Sequence, residues 1–363
     1  GLYMEWRDLP PLSALRAFAA FAQSSNVVAA GEALGVSHAA ISQQLRSLEV
    51  HLGVSLLDRS GRALPPELET YPQFETYEAG LACDPELVVI STYTDSHADL
   101  SIQAMQAGAH VFVEKPLAPN LADAQRMITT AQASGRKLVV GYILRHHPSW
   151  VKLIEEARAL GGPYVFRMNL NQQSSGPEWE VHKHLMQSTS PLVDCGVHYV
   201  DVMCQIARSR PVRVQGIGLR LSDEIPADMY NYGQLQVSFA DGSVGWYEAG
   251  WGPMMSETAF FVKDVVSPNG AVSITDADMS GSAEIDGHTK VGGLLVHRPD
   301  GDRRVSLPEE PGHQALCDAE QAHMLATIAQ DLPVDAALDD ALQSLRICLA
   351  ADESIRTGGV VAL

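Results

Sequence analysis

Residues 87–118 read LVVISTYTDSHADLSIQAMQAGAHVFVEKPLA. Leu87 to Ser91 is an almost wholly apolar run of strand length. Ala98 to Gly108 has helical periodicity, and His110 to Val113 is a second apolar run that stops at Glu114, Lys115 and Pro116. Further on, Asn120 to Ser134 predicts another helix and Lys137 to Tyr142 a third strand. Apolar strands that alternate with amphipathic helices are buried on both faces, the pattern of a doubly wound parallel sheet. In such a sheet the first strand, a Gly-rich turn and a helix amino end hold a dinucleotide pyrophosphate. No GxGxxG precedes Leu87, and the nearest match, Gly216 and Gly218 in VRVQGIGLRL, lies in a strand-like stretch with no helix behind it. The expectation is a truncated nucleotide-binding sheet without its phosphate cradle.

Beyond Pro163 the pattern changes to strands: YVFRMNL, VRVQGIGLRL, YGQLQVSF, SVGWYEAGW, TAFFVKDVV and AVSI, with Asp241 and Gly242 marking a hairpin. Two helices, about His313 to Gln330 and Ala336 to Arg356, close the chain. This predicts a large, mostly antiparallel sheet with helices on one face and the other free to meet a second copy, hence a homo-oligomer.

The amino-terminal segment has a different character. Leu15, Phe18 and Phe21 recur at helical spacing, Ser24 to Asn26 supply a break and a cap, and Val27 to Leu34 predicts a second short helix. Gly35 to Ser37 form a turn, and Ile41, Leu45, Leu48 and Leu52 give a third helix its inner face. The outer face then carries His38, Ser42, Gln43 and Arg46, and Val54 to Leu64 reads as a β-wing. That arrangement is a winged helix-turn-helix, whose third helix suits the DNA major groove.

Through LSALRAFAAFAQ and AAGEALGVSHAAISQQLRSLEVHLGVSLLDRSGR, residues 9–66 closely resemble the winged helix-turn-helix of LysR-type transcriptional regulators. The resemblance implies that Ser37, His38, Ser42, Gln43 and Arg46 approach bases or phosphates of double-stranded DNA, and that Arg59 and Arg62 serve the wing. The linker helix that usually follows is replaced by Pro65, Pro66 and an acidic stretch, and no effector domain of that family comes after it. Up to Pro66, five arginines face five acidic residues (Glu5, Asp8, Glu32, Glu49 and Asp58), so the segment has no surplus charge for phosphates.

Composition bounds the rest. The 363 residues are 46% hydrophobic and 19% charged, enough for two or three packed cores. A net charge of −19 gives no general attraction for nucleic acid or anionic membrane. There is no secretory pattern at the start and no run of about 18 apolar residues, so the expectation is a cytoplasmic protein. Cys83, Cys195, Cys204, Cys317 and Cys348 show no CxxC spacing and read as reduced thiols.

TYTDSH (92–97), VFVEKPLA (111–118), GYILRHHPSW and STSPLVDCGVHYVD together resemble the Gfo/Idh/MocA oxidoreductases, over about residues 71–363. The resemblance implies NAD(P)-dependent hydride transfer to or from a sugar, inositol or similar polyol. Oxidising a secondary alcohol needs a hydride acceptor, a base and donors that hold the oxygen. Lys115 stands at the carboxyl end of a parallel strand, where ligands of open α/β sheets bind. Asp194 and His198 are four apart on a predicted helix and so share a face. In the family pattern these three converge, with His198 or Lys115 as proton acceptor and Asp194 orienting. Glu114, Lys115 and Pro116 then shape the turn beside the nicotinamide of NAD or NADP, and Thr92 and His97 line the cofactor site. Tyr93 departs from the proline of many members. His182 and His184 have HxH spacing but no carboxylate or cysteine at ligand spacing, so they read as pocket lining and no metal is expected.

The expected organisation is a winged helix-turn-helix over 1–66, a partial Rossmann domain over 67–145 and a substrate and oligomerisation domain over 146–363. Three functions are open: an oxidoreductase impaired by the missing pyrophosphate loop, a DNA-binding regulator with a dehydrogenase-derived sensor domain, or an inactive chimera.

Overall fold

The computed structural model describes residues 11–24, 27–36, 40–41, 43–45, 47–48, 70–256, 262–275, 293–307 and 310–363. The chain divides into two compact units, residues 1–80 and 81–363.

In the first unit, α1 (Leu12–Ser24) and α2 (Val27–Leu34) pack together, and Gly35 turns the chain at φ +66°. Ala17, Ala30, Ile41 and Leu45 form a small core that Phe18, Phe21 and Leu34 extend. The described positions between 40 and 48 are helical. Ile41 and Leu45 are buried one turn apart while Gln43 is exposed, as an amphipathic third helix requires. The side chains expected to contact DNA at Ser37, His38, Ser42, Arg46, Arg59 and Arg62, and the wing itself, lie outside the described residues.

A short helix, α3 (Tyr77–Leu81), leads into the second unit. There, β1 (Leu87–Ile90), α4 (Thr94–Gln106), β2 (His110–Glu114), α5 (Leu121–Ser134) and β3 (Leu138–Gly141) alternate as expected. The three strands are parallel in the order β1-β2-β3, with Ile90 beside Val113 and Glu114 beside Gly141. Asn120 caps α5 by accepting from the Asp123 amide, and Gly135 ends it in the left-handed region. Both crossovers therefore return the chain so that the strand ends open on one side.

A 3-10 turn (Ile143–Arg145) and α6 (Pro148–Leu160) lead to β4 (Val165–Gln173), α7 (Pro177–Leu185), α8 (Pro191–Asp194) and α9 (Gly196–Ala207). Then follow β5 (Pro211–Leu219), β6 (Tyr232–Phe239), β7 (Val244–Gly252), β8 (Lys263–Ser267), β9 (Gly270–Ile274), β10 (Gly293–Arg298) and β11 (Gly301–Ser306). The chain closes with α10 (His313–Ala329), α11 (Asp335–Thr357) and β12 (Val361–Ala362). Among the described residues the large sheet runs β11-β10-β9-β8-β4-β7-β6-β5-β12, antiparallel except for the β4–β7 pair.

One face of this sheet packs under α6, α8, α9 and α11. Gly216 and Gly218 belong to that packing: a Cβ on Gly216 would meet the Ala351 carbonyl at 2.7 Å, and one on Gly218 would meet Ile355 at 3.0 Å. Their glycines let α11 lie against β5, which explains the false dinucleotide signal. Register places Val165, Val244, Ile217 and Leu219 together on the opposite face, where all four are exposed.

Candidate active site

The site forms where the parallel strands end. Past β1, the Thr92 hydroxyl lies 2.6 Å from that of Ser96, and Tyr93 is exposed. His97, expected to line the cofactor, is fully buried instead. Its two ring nitrogens lie 2.9 Å from the Pro116 carbonyl and 3.1 Å from the Thr92 carbonyl, so the ring ties the β1 turn to the β2 turn. At the end of β2, the Lys115 amide donates to Glu114 Oε2 at 3.3 Å. Gly141 sits alongside, where a Cβ would come within 3.1 Å of that oxygen.

Lys115 Nζ donates to Asp194 Oδ1 at 2.9 Å and to the Asp194 carbonyl at 3.2 Å. The second bond depends on a break in the helix. Asp194 ends α8 and His198 belongs to α9, with Cys195 between them, so the pair does not share one continuous helix as the spacing suggests. The His198 amide turns to the Cys195 carbonyl at 3.2 Å, which leaves the Asp194 carbonyl for the ammonium. Gly196 lets the junction press on the Tyr247 ring, since a Cβ there would meet it at 3.1 Å.

Burial penalises both charges of this pair, yet each prevails through the other. Desolvation works to lower the Lys115 ammonium pKa, but Asp194 raises it above the ordinary lysine value. Desolvation likewise works to raise Asp194, but the Lys115 charge and hydrogen bond hold it below the ordinary carboxylate value. His198 behaves oppositely: burial, then the Lys115 charge, lowers its pKa to about 3, so the ring is neutral at pH 7. Its Nδ1 is buried with no hydrogen-bond partner among the described residues, and its ring stands edge-on to Tyr142 with centroids 5.5 Å apart. An ammonium fixed on a carboxylate beside a neutral imidazole can hold an alcohol oxygen and receive its proton.

Sequence reasoning missed the groups that surround this cluster. Arg145 holds buried Asp201 through two bonds of 2.9 and 2.7 Å, and its guanidinium lies over the Tyr142 ring. Helix α10 packs against β2 and the 143–145 turn. It brings Glu320, 2% exposed, whose pKa is raised to about 8 by burial and then by Glu114. Glu320 Oε1 has no hydrogen-bond partner among the described residues. Cys317 and His313, on the same helix, lie 3.6 Å apart. A polar row at 313, 317 and 320, spaced as one helix face, was the available signal.

On the other side, His182 stacks on Trp251 at 4.3 Å and lies 2.8 Å from the Ser174 hydroxyl, and His184 packs against Tyr93. The two histidines thus serve different neighbours. Among the described residues no group of three His, Cys, Asp or Glu side chains is placed to hold a metal ion.

Residues 26–142 match the model of the oxidoreductase family with an NAD-binding Rossmann fold, and residues 151–261 match the Gfo/Idh/MocA C-terminal domain. The chain therefore carries the two domains of the Gfo/Idh/MocA oxidoreductases, and the cofactor class is NAD or NADP. The first match begins at residue 26, well ahead of the start near residue 71 that the motifs indicate. Inositol 2-dehydrogenase of Salmonella typhimurium is 31% identical over 123 residues, 33% of this chain and 34% of that protein. The scyllo-inositol 2-dehydrogenase (NAD(+)) of Bacillus subtilis is 27% identical over 171 residues, 45% and 48% of the two chains. The AhcY transcriptional activator HvrB of Rhodobacter capsulatus is 40% identical over 120 residues, 33% and 39%. The chain spans about a third of the length of the first of these relatives. In fold it is similar to an aldose-aldose oxidoreductase from Caulobacter crescentus, solved with glycerol, at a TM-score of 0.63 and 23% identity, covering 82% and 89% of the chains.

The residues suit the nicotinamide end of this cofactor. Gly141 lets Glu114 lie close against β3, and the buried Nδ1 of His198 has no hydrogen-bond partner among the described residues. The pyrophosphate end would fall on residues ahead of Leu87, where the sequence has no GxGxxG and residues 49–69 lie outside the described set.

Proposed function

We propose that this protein is an NAD(P)-dependent dehydrogenase that oxidises a secondary hydroxyl of a polyol such as an inositol or sugar, or reduces the corresponding ketone. The observation that carries the reading is the Lys115–Asp194 ion pair at the open end of β2, with neutral His198 beside it. Bound NAD or NADP supplies the hydride acceptor, with Glu114, Lys115, Pro116 and Thr92 at its nicotinamide end. Lys115, kept protonated by Asp194, holds the substrate oxygen and stabilises negative charge on it as the proton leaves. His198 is unprotonated at pH 7 and so able to accept that proton, although its low pKa makes it a weak base in the free protein. Both acceptors open from sequence stay open on these electrostatics, His198 being neutral but weakly basic and Lys115 protonated. The names of the inositol dehydrogenase relatives support the substrate class.

The exposed Val165, Val244, Ile217 and Leu219 on one sheet face support a homo-oligomer through that face. The free thiols, and the absence among the described residues of a helix long and apolar enough to cross a membrane, support a cytoplasmic setting. As a first test, turnover of inositols and aldoses with either cofactor should exceed that of the Lys115→Ala variant. Equal background rates for both proteins would reject the reading.

A second reading rests on one observation, the helix-turn-helix-like packing of α1, α2 and the Ile41–Leu45 segment, together with the transcriptional activator among the relatives. On that reading the first unit binds double-stranded DNA. Binding that weakens steeply with salt would support it. No shift at low salt would leave the first unit a packing module.

A further inference from the structure

The acceptor pair on Asp194 sits at the last residue of α8, a single helical turn, and one turn alone is too short to hold its own conformation. Two contacts fix it from outside. On one side, the Ser190 hydroxyl accepts from the Val193 amide at 3.1 Å and donates to Asp352 Oδ1 on α11 at 2.8 Å. On the other, Leu192 is wedged against Gly233, where a Cβ would meet Leu192 at 3.1 Å and Tyr230 at 2.5 Å. The Tyr230 hydroxyl donates to the same Asp352 oxygen, so the two contacts meet at one carboxylate. Ser190 is 2% exposed and Tyr230 7%, so water does not readily replace these bonds.

None of Ser190, Tyr230 and Asp352 reaches Lys115, yet both oxygens that hold the ammonium move with the turn they anchor. We propose that Asp352 and Ser190 are positioning residues that set how tightly Asp194 holds the Lys115 ammonium. The arrangement rests on the dehydrogenase reading only for its purpose, since the anchoring itself concerns the free protein.

The groups charged or titratable around the two ends are known. Asp352 faces Tyr230, Ser190 and, one turn back on α11, Cys348; Lys115 faces Asp194, Cys195, Glu114 and His198. Loss of the anchor should therefore appear as a lowered Lys115 pKa, because burial alone drives the ammonium down when Asp194 loosens.

The test is the pH dependence of amine acylation at each lysine of the full-length protein, read by mass spectrometry without cofactor or substrate. Ser190→Ala and Asp352→Asn should each raise Lys115 acylation at fixed pH by roughly three- to tenfold, equivalent to half to one pKa unit, with Lys137 and Lys152 unchanged. Ser190→Thr, which keeps the hydroxyl, should restore the native rate, and the double variant should match the larger single effect. An unchanged Lys115 rate in the variants, whether or not they melt lower, overturns the proposal. Because the readout needs no turnover, a failed dehydrogenase assay beside a shifted Lys115 would count against the activity and not against the anchor.

Discussion

Lys115 binds Asp194 twice, through the carboxylate at 2.9 Å and through the main-chain carbonyl at 3.2 Å, and the second bond exists because α8 and α9 do not fuse at Cys195. The ammonium is thereby aimed by backbone as well as by side chain. A lysine held only by a mobile carboxylate would have more ways to point.

Replacing Lys115 with Met should remove the cation while keeping the stem. Asp194 is then left buried without its partner, at a cost of about 1–3 kcal/mol, at the lower end because Lys115 is a quarter exposed. Lys115 is raised and Asp194 lowered, so the pair's stabilisation holds between about pH 4 and 10, fading as pH falls through the Asp194 value or rises through the Lys115 value. Urea melts of wild type and Lys115→Met across that range should run parallel and converge at the extremes.

His198 titrates at about 3 in the folded protein against about 6.5 when unfolded. Its neutral form therefore adds stability that is complete above about pH 6.5 and is lost as pH falls through 3. The imidazole carbon-bound proton resonances of His198 should stay fixed from pH 7.5 to 5. A His198 titration near 6.5 would show that burial and the Lys115 charge do not hold the ring neutral in the folded protein.

Glu320 presents the opposite sign. Its folded pKa of about 8 lies above the ordinary glutamate value of about 4.3, so its contribution is full below 4.3 and is lost as pH rises through 8. Glu320→Gln, which keeps the shape of the neutral acid, should flatten the decline in melting temperature between pH 5 and 8. An unaltered decline would mean that another group carries it.

Gly141 leaves little space for a side chain. A Cβ would sit 3.1 Å from Glu114 Oε2 and 3.2 Å from the ring of buried Phe112. Gly141→Ala should cost about 1–3 kcal/mol by overpacking and should weaken cofactor binding by displacing Glu114. Calorimetric melting and cofactor titration of the same sample would separate the two effects.

Much of the scaffold was legible in the sequence because its signals are local. The apolar runs at 87–91, 110–113 and 137–142 lie within a residue or so of β1, β2 and β3, and Lys115 falls at a strand end where the period breaks. What escaped depends on long-range packing. The spacing of Asp194 and His198 reads as one helix, but Cys195 interrupts it where Gly196 meets Tyr247 from a distant strand. His97 reads as a site residue by its motif, whereas burial makes it a tie between two turns. The hairpin β10–β11 was overlooked because its outer strand, GDRRVS, is too polar to resemble a buried one. Glu320 and Cys317 sit about two hundred residues from Glu114, and the polar row they form on one helix face does not say which strand end it meets.

Isothermal calorimetry of NAD(H) and NADP(H) with the whole chain shows whether the Lys115–Asp194–His198 cluster serves a nicotinamide cofactor. Saturable binding of one of the two cofactors, weakened in Lys115→Ala, is the expected result. Absence of binding at millimolar concentration of either cofactor would contradict it.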